Sequence, residues 1–228
     1  MGRIQTKLYL ASADVLEDAS LFARLLETVP RARKEKVRAF RNEGAARLSL
    51  AAGLLLNLAL RDCGLQAGEI RTGEYGKPCF PALPDFHFSL SHSGSMALCA
   101  VSDMSLGCDI EQIRGDRLRL AERFFHPREC AWLHSLPEGE RQAGFFQLWT
   151  SKESFIKAIG RGLSLPLDSF CVLPGEVPAL FQTADARPWF LRSFLTGGYA
   201  CALCTQAPAA DAPLITVALD EIQQGDQT

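Results

Sequence analysis

Four side chains have the types and spacing of a metal–phosphate site. Asp109 and Glu111 lie two residues apart in a strand-like segment, so both carboxylates point to one face of the strand and Cys108 points to the other. Two adjacent acids repel each other unless a cation or a proton lies between them. Glu153 and Lys157 are four residues apart and share one face of a helix. Together they predict a clamp that holds Mg²⁺ and a pyrophosphate group.

Each pair also has a simpler interpretation. Asp109 and Glu111 on an exposed strand edge would be two solvated acids, and Glu153 with Lys157 would be a surface ion pair. The apolar residues around Glu153 favour a buried setting over a solvated helix face. They are Phe145, Phe146, Leu148, Phe155 and Ile156.

Basic side chains concentrate in one segment of a nearly neutral chain. The chain has 228 residues, with 24 basic against 26 acidic side chains and a net charge of −2, which argues against a general nucleic-acid binder. The basic cluster could be a solvated helix face or a site for phosphate oxygens. Its members are Arg31, Arg33, Lys34, Lys36, Arg38, Arg41 and Arg47.

The segments that carry these residues predict a mixed α/β (α+β) chain. A helical pattern runs from Pro30 to a stop at Gly64, with a break near Gly44, and another covers 139–159. The predicted strands include 3–10, a hairpin of 86–91 and 95–102, 106–113, 169–173, 189–195 and 197–205. Glycine-led apolar strands follow a helical region in both halves of the chain. This weak repeat predicts two lobes, 1–112 and 113–228, each a small antiparallel sheet with a long helix.

Cysteine usage and hydropathy narrow the class of protein. The eight cysteines are scattered and no secretory signal core precedes them, so we expect free thiols in a cytoplasmic protein. Cys201 and Cys204 lack the second pair that a zinc site needs. The longest apolar stretch, 48–60, is interrupted by Ser49 and Asn57 and falls short of the roughly 20 residues that span a bilayer. We expect a buried helix there and no membrane association.

Five segments together resemble the Sfp-type 4′-phosphopantetheinyl transferases. They are YGKP (75–78), FSLSHSG (88–94), LGCDIE (106–111), RFFHPRE (123–129) and LWTSKESFIKAIGRGLSLPLDSF (148–170). The resemblance implies two pseudo-twofold-related lobes with coenzyme A in the cleft between them. It implies transfer of phosphopantetheine to a serine hydroxyl of an apo acyl, peptidyl or aryl carrier protein, with release of adenosine 3′,5′-bisphosphate.

The resemblance also implies roles for individual residues. Asp109, Glu111 and Glu153 would hold Mg²⁺, or Mn²⁺ in its place, and Lys157 would contact the pyrophosphate. Glu129 is a candidate base for the incoming serine, and Glu153 is the competing candidate. Further residues would surround coenzyme A. Those expected around the 3′-phosphate are Arg33, Lys36, Arg47 and His92, and those expected near the nucleotide are Lys77, Pro78 and Ser91.

Two other functions compete with the transferase. Ser91, His92 and Asp109 have the residue types of a hydrolase triad acting on coenzyme A thioesters, although the G-x-S-x-G pattern is absent. A domain that binds coenzyme A or carrier proteins without turnover is the other alternative. Such a domain would not need all three acids and Lys157. Because two lobes in one chain complete the site, we expect a monomer.

Overall fold

The computed structural model describes residues 3–115, 117–176, 178–208 and 211–222. The helices are α1 (Ala19–Leu26), α2 (Arg31–Arg38), α3 (Glu43–Asp62), α4 (Leu118–Phe124), α5 (Pro127–Ser135) and α6 (Glu138–Ile159). The strands are β1 (Lys7–Ser12), β2 (Arg71–Thr72), β3 (Pro78–Cys79), β4 (His87–Ser93), β5 (Met96–Ser102), β6 (Leu106–Gln112), β7 (Cys171–Leu173), β8 (Ala179–Phe181), β9 (Phe190–Thr196), β10 (Tyr199–Thr205) and β11 (Leu214–Thr216).

Two small sheets form the centre of the fold. One has the strand order β11-β1-β5-β4 and the other β6-β10-β9. All neighbours are antiparallel except β1 and β11, which are parallel. Two further two-stranded pairs are β2-β3 and β7-β8, and of these strands β7 alone lies in a predicted segment, 169–173. The structure confirms a mixed α/β fold made of small antiparallel sheets and helices.

Two strands pair with strands on the other side of the predicted lobe boundary at residue 112. β6 lies before that boundary but pairs with β10, where Asp109 faces Ala202. β11 lies after the boundary but pairs with β1, where Leu8 faces Leu214. Each half of the chain therefore contributes one strand to the sheet formed mainly by the other half.

Each sheet carries one long helix. α3 packs on the first sheet and α6 on the second. By length and hydropathy α3 could cross a membrane, but 61% of its apolar window is buried inside the protein. Leu50, Leu54 and Leu55 lie in the core with side chains from β1, β4 and β5. α3 is therefore a core helix, as the interrupted apolar stretch predicted.

The helical segment after Pro30 is two helices, and the break between them lies close to the one expected near Gly44. α2 ends at Arg38, and α3 begins after Asn42, whose side chain accepts a hydrogen bond from Ala45 N (2.8 Å). An Asn at this position satisfies one of the free N–H groups of a helix start. The break lets Arg33 lie across Gly53, where a Cβ would be only 2.9 Å from Arg33 Cγ.

A glycine lets α6 lie directly on β6. A Cβ at Gly107 would be 2.2 Å from Ser154 O and 2.4 Å from Ala158 N, closer than real atoms approach. The missing side chain therefore sets the distance between helix and strand. As a consequence, Glu153 and Lys157 on α6 face the acids of β6.

Candidate active site

Asp109 and Lys157 form the centre of the site. Asp109 Oδ1 accepts hydrogen bonds from Lys157 Nζ (2.7 Å) and Ser91 Oγ (2.7 Å). Lys157 Nζ also donates to Ser91 Oγ (3.0 Å). Asp109 is only 4% exposed, and its Oδ2 is buried without a hydrogen-bond partner among the described residues. A buried carboxylate oxygen in this state is costly unless a cation or donor reaches it.

Glu111 and Glu153 share the electrostatic environment of Asp109. Burial and repulsion by Asp109 raise the pKa of both carboxyls, although Ser93 Oγ donates to Glu111 Oε2 (2.6 Å). Burial opposes the charge of Lys157, but attraction by Asp109, the hydrogen bond to its carboxylate and attraction by Glu153 and Cys108 together raise the pKa of the ammonium. Three acids thus surround one lysine, which favours an additional cation. Within the described ranges, no three His, Cys, Asp or Glu side chains are close enough to bind a metal ion as they stand.

A cavity of about 660 Å³ opens beside this centre. Its polar wall includes five of the predicted residues. They are Arg33, Lys36, Ser91, His92 and Lys157. In the part of the chain that the structure describes, neither Arg33 nor Lys36 forms an ion pair. Burial and the nearby cations Lys157, Lys36 and Arg33 lower the pKa of His92. The cavity therefore concentrates positive potential that an anion can neutralise.

Two predicted cations point elsewhere. Arg47 pairs with Glu17 (3.4 Å) and Glu43 (3.8 Å) and does not line the cavity. Lys77 Nζ donates to the backbone oxygens of Leu106 (2.9 Å) and Ala158 (2.9 Å). Lys77 thus ties the loop before β3 to the start of β6 and the end of α6. Its neighbour in sequence, Pro78, does line the cavity.

Glu129 is held inside the protein. Its side chain is fully buried, and its carboxylate oxygens accept hydrogen bonds from Lys152 Nζ (2.6 and 2.8 Å). Val172 N (2.6 Å) and His126 N (2.9 Å) also donate to this carboxylate. Lys152 is fully buried as well and donates to Phe170 O (2.8 Å). In this structure Glu129 joins α5, α6 and β7.

The hydrolase triad does not form. Ser91 donates directly to Asp109 and accepts from Lys157, so it has no hydrogen bond to His92. His92 follows Ser91 in β4 and therefore points to the opposite face of the strand. A triad requires the histidine between the serine and the acid.

Sequence reasoning missed three residues of this region. Ser93 binds Glu111, and its signal was the alternation of serines along β4. Lys152 binds Glu129, and a lysine within an apolar helical segment was its signal. Ser49 lines the cavity with a buried hydroxyl that has no partner among the described residues, and it was visible as a polar break in an apolar stretch.

A basic cavity that meets a cluster of three acids at one lysine is suited to an enzyme that acts on a phosphate-containing ligand. Residues 105–204 match the sequence profile of the 4′-phosphopantetheinyl transferase superfamily. The chain is 37% identical over 205 residues to 4′-phosphopantetheinyl transferase Sfp of Bacillus subtilis (strain 168), covering 87% of this chain and 92% of that protein. It is 36% identical over 153 residues to 4′-phosphopantetheinyl transferase HetI of Nostoc sp., covering 63% and 64% of the two chains.

Among solved structures, the holo-[acyl-carrier-protein] synthase of Thermotoga maritima covers 45% of this chain and 62% of its own, with 20% identity and a TM-score of 0.40. The similarity to the Bacillus subtilis protein extends over most of both chains. The chain therefore belongs to the Sfp-type 4′-phosphopantetheinyl transferases. It is an enzyme that transfers phosphopantetheine from coenzyme A to carrier proteins, as the sequence predicted.

Proposed function

We propose that Asp109, Glu111 and Glu153 hold Mg²⁺, or Mn²⁺ in its place, against the pyrophosphate of coenzyme A. The observation that carries this proposal is the buried Oδ2 of Asp109, which has no partner among the described residues, beside two acids whose pKa values are raised by burial and by repulsion from Asp109. Hard carboxylate oxygens suit such an ion. When bound, the cation would neutralise charge on the pyrophosphate.

Lys157 is proposed to stabilise the leaving phosphate. Its ammonium lies at the junction of the cavity and the acids, with Asp109 Oδ1 at 2.7 Å. A cation fixed there meets the negative charge that develops as the phosphorus–oxygen bond breaks. The product released in this scheme is adenosine 3′,5′-bisphosphate.

Glu153 is the better candidate for the base that takes the proton of the carrier serine. Its carboxylate makes no hydrogen bond within the described part of the chain, and it is partly exposed on α6. Both carboxylate oxygens of Glu129 already accept hydrogen bonds inside the protein. A base must reach the proton that it removes.

The cavity is proposed to hold the nucleotide half of coenzyme A. Arg33, Lys36 and His92 would surround the 3′-phosphate, with Ser91 and Pro78 near the nucleotide. Guanidinium and ammonium groups without protein partners are suited to phosphate oxygens. Arg47 and Lys77 are left out of this proposal, because their side chains bond to protein groups outside the cavity.

The wider organisation remains part of the proposal. We infer two lobes, 1–112 and 113–228, with the site at their seam, since Lys157 on α6 lines the cavity and donates to Asp109 on β6. A monomer is sufficient because one chain supplies all of these residues. All eight cysteines are free thiols, which supports a cytoplasmic location. The acceptors are apo acyl, peptidyl or aryl carrier proteins.

Variants of single acids test the residue roles. Transfer to an apo carrier is measured against Mg²⁺ concentration for Asp109→Asn and Glu153→Gln. Each should lose about 10²–10³ in rate, the typical cost of removing one such electrostatic group. Glu140→Gln, an exposed acid on the same α6, is the matched control. Wild-type rates and Mg²⁺ dependence in Asp109→Asn would remove the acids from the mechanism.

A further inference from the structure

β4 and β6 lie side by side at the seam of the two sheets. They are the edge strands of different sheets, and no strand pairing joins them among the described residues. Three serines alternate along β4, at positions 89, 91 and 93. Because side chains alternate across a strand, all three hydroxyls point to the same side. That side faces β6.

Each serine makes a different contact with β6. Ser89 Oγ accepts a hydrogen bond from the backbone N of Cys108 (3.0 Å). Ser91 Oγ donates to Asp109 Oδ1 (2.7 Å). Ser93 Oγ donates to Glu111 Oε2 (2.6 Å). The hydroxyls thus take the place of a backbone ladder, and we call Ser89, Ser91 and Ser93 the serine ladder.

Ser93 has a hydrogen-bonding arrangement that fixes the direction of its hydroxyl. The backbone N of Gln112 donates to Ser93 Oγ (3.1 Å), while the single hydroxyl hydrogen goes to Glu111 Oε2. A hydroxyl has only one hydrogen, so the bond to Glu111 uses the whole donor capacity of Ser93. A short bond to a carboxylate is stronger than one between neutral groups. Ser93 therefore holds both the backbone and the side chain at this end of β6.

Glu111 needs such a support. Asp109 repels its carboxylate, and a flexible glutamate can turn away from a neighbouring acid. The bond from Ser93 keeps one carboxylate oxygen on the side where Asp109 lies. Groups that orient a metal ligand in this way commonly change metal affinity by about 10–100-fold when removed.

We propose that Ser93 is a positioning residue that orients Glu111 for the divalent cation. The inference rests on the proposed metal site formed by Asp109, Glu111 and Glu153. Ser89 provides an internal comparison, since it bridges the same two strands without touching an acid. The serine ladder thus separates the effect of joining β4 to β6 from the effect of orienting a carboxylate.

The test is equilibrium binding of Mn²⁺ to the enzyme with coenzyme A and no carrier, measured by electron paramagnetic resonance. Ser93→Ala should weaken Mn²⁺ binding by about tenfold or more, and Ser93→Thr, which keeps the hydroxyl, should restore it. Ser89→Ala should bind Mn²⁺ like the wild type. In a Glu111→Gln background, Ser93→Ala should cause no further loss. Thermal unfolding of each variant checks that it is folded, and Ser93→Cys replaces Ser93→Ala if the latter is not.

Two results would overturn the inference. One is unchanged Mn²⁺ affinity in Ser93→Ala, and the other is an equal loss in Ser89→Ala. Asp109→Asn, measured in parallel, distinguishes these results from a failure of the proposed metal site. If Asp109→Asn loses Mn²⁺ binding while Ser93→Ala does not, only the role of Ser93 is wrong. If Asp109→Asn binds Mn²⁺ normally, the metal site and the inference both fail.

Discussion

The ion pair of Glu129 and Lys152 allows a sharp separation of structural from chemical roles. Both side chains are fully buried, and Lys152 Nζ lies 2.6 and 2.8 Å from the two carboxylate oxygens. The ammonium also lies 4.1 Å from the centre of the Phe170 ring. Burial lowers the pKa of Lys152, while Glu129 opposes this change. The charge of Glu129 therefore offsets the cost of burying the ammonium of Lys152.

The perturbation is Glu129→Gln, which keeps the shape of the side chain and removes its charge. It leaves the ammonium of Lys152 buried without a counter-charge, because the acceptors that remain, the new amide oxygen and Phe170 O, are both neutral. Breaking a buried pair in this way costs about 3–5 kcal/mol in the free energy of unfolding. For a chain of this size, the midpoint of thermal unfolding should fall by about 6–20 °C.

The assay combines unfolding with kinetics. Circular dichroism gives the unfolding midpoint, and transfer is measured at a temperature where the variant is folded. We expect lower stability with most of the turnover rate retained. Adding Lys152→Met removes the uncompensated charge and should recover most of the lost stability. Unchanged stability with a rate loss of about 10²–10⁴ would refute this reasoning and make Glu129 the general base.

Three further predictions concern single positions. Gly107→Ala should lower both stability and turnover, since the new Cβ would lie 2.2 Å from Ser154 O. Gly139→Ala is the control, because a Cβ there has nothing within 4 Å. Equal unfolding midpoints for the two variants would contradict the tight contact at Gly107. Burial lowers the pKa of Lys77 to about 8, below its usual 10.5, so the unfolded chain binds more protons between these values. The free energy of unfolding of the wild type, compared with that of Lys77→Met, should therefore rise with pH between about 8 and 10.5. Urea titrations at several pH values measure this difference. A difference that does not change with pH would be inconsistent with the burial of this ammonium. Lys36→Ala should raise the KM for coenzyme A more than that for dephospho-coenzyme A in steady-state assays, whereas equal increases would place Lys36 away from the 3′-phosphate.

The local patterns that were predicted correctly depend on short-range geometry. The alternation in β6 put Asp109 and Glu111 on one face, and the spacing of four put Glu153 and Lys157 on one face of α6. These relations follow from the periods of strand and helix alone. The hairpin of β4 and β5 followed likewise from its turn, where Gly94 has a positive φ.

The parts that were not predicted depend on where long side chains point after packing. Lys77 lies next to cavity residues in sequence, but its ammonium reaches two backbone oxygens of β6 and α6. Glu129 was a candidate base by its segment, yet its partner Lys152 is 23 residues away. Such pairings are set by tertiary contacts, which no period in the sequence encodes. The strands β2, β3 and β8, of two or three residues each, are too short to produce an alternating pattern.

The most direct test of the central claim is one transfer reaction with both products measured. The wild-type enzyme is incubated with coenzyme A, Mg²⁺ and an apo carrier protein, and a panel of acyl, peptidyl and aryl carriers identifies the preferred acceptor. Intact-mass spectrometry should detect one phosphopantetheine group on the carrier serine, with an equal amount of adenosine 3′,5′-bisphosphate released. Chelation of the divalent cation should stop both products. Modification that continues at full rate without a divalent cation, or release of any other nucleotide product, would contradict the account.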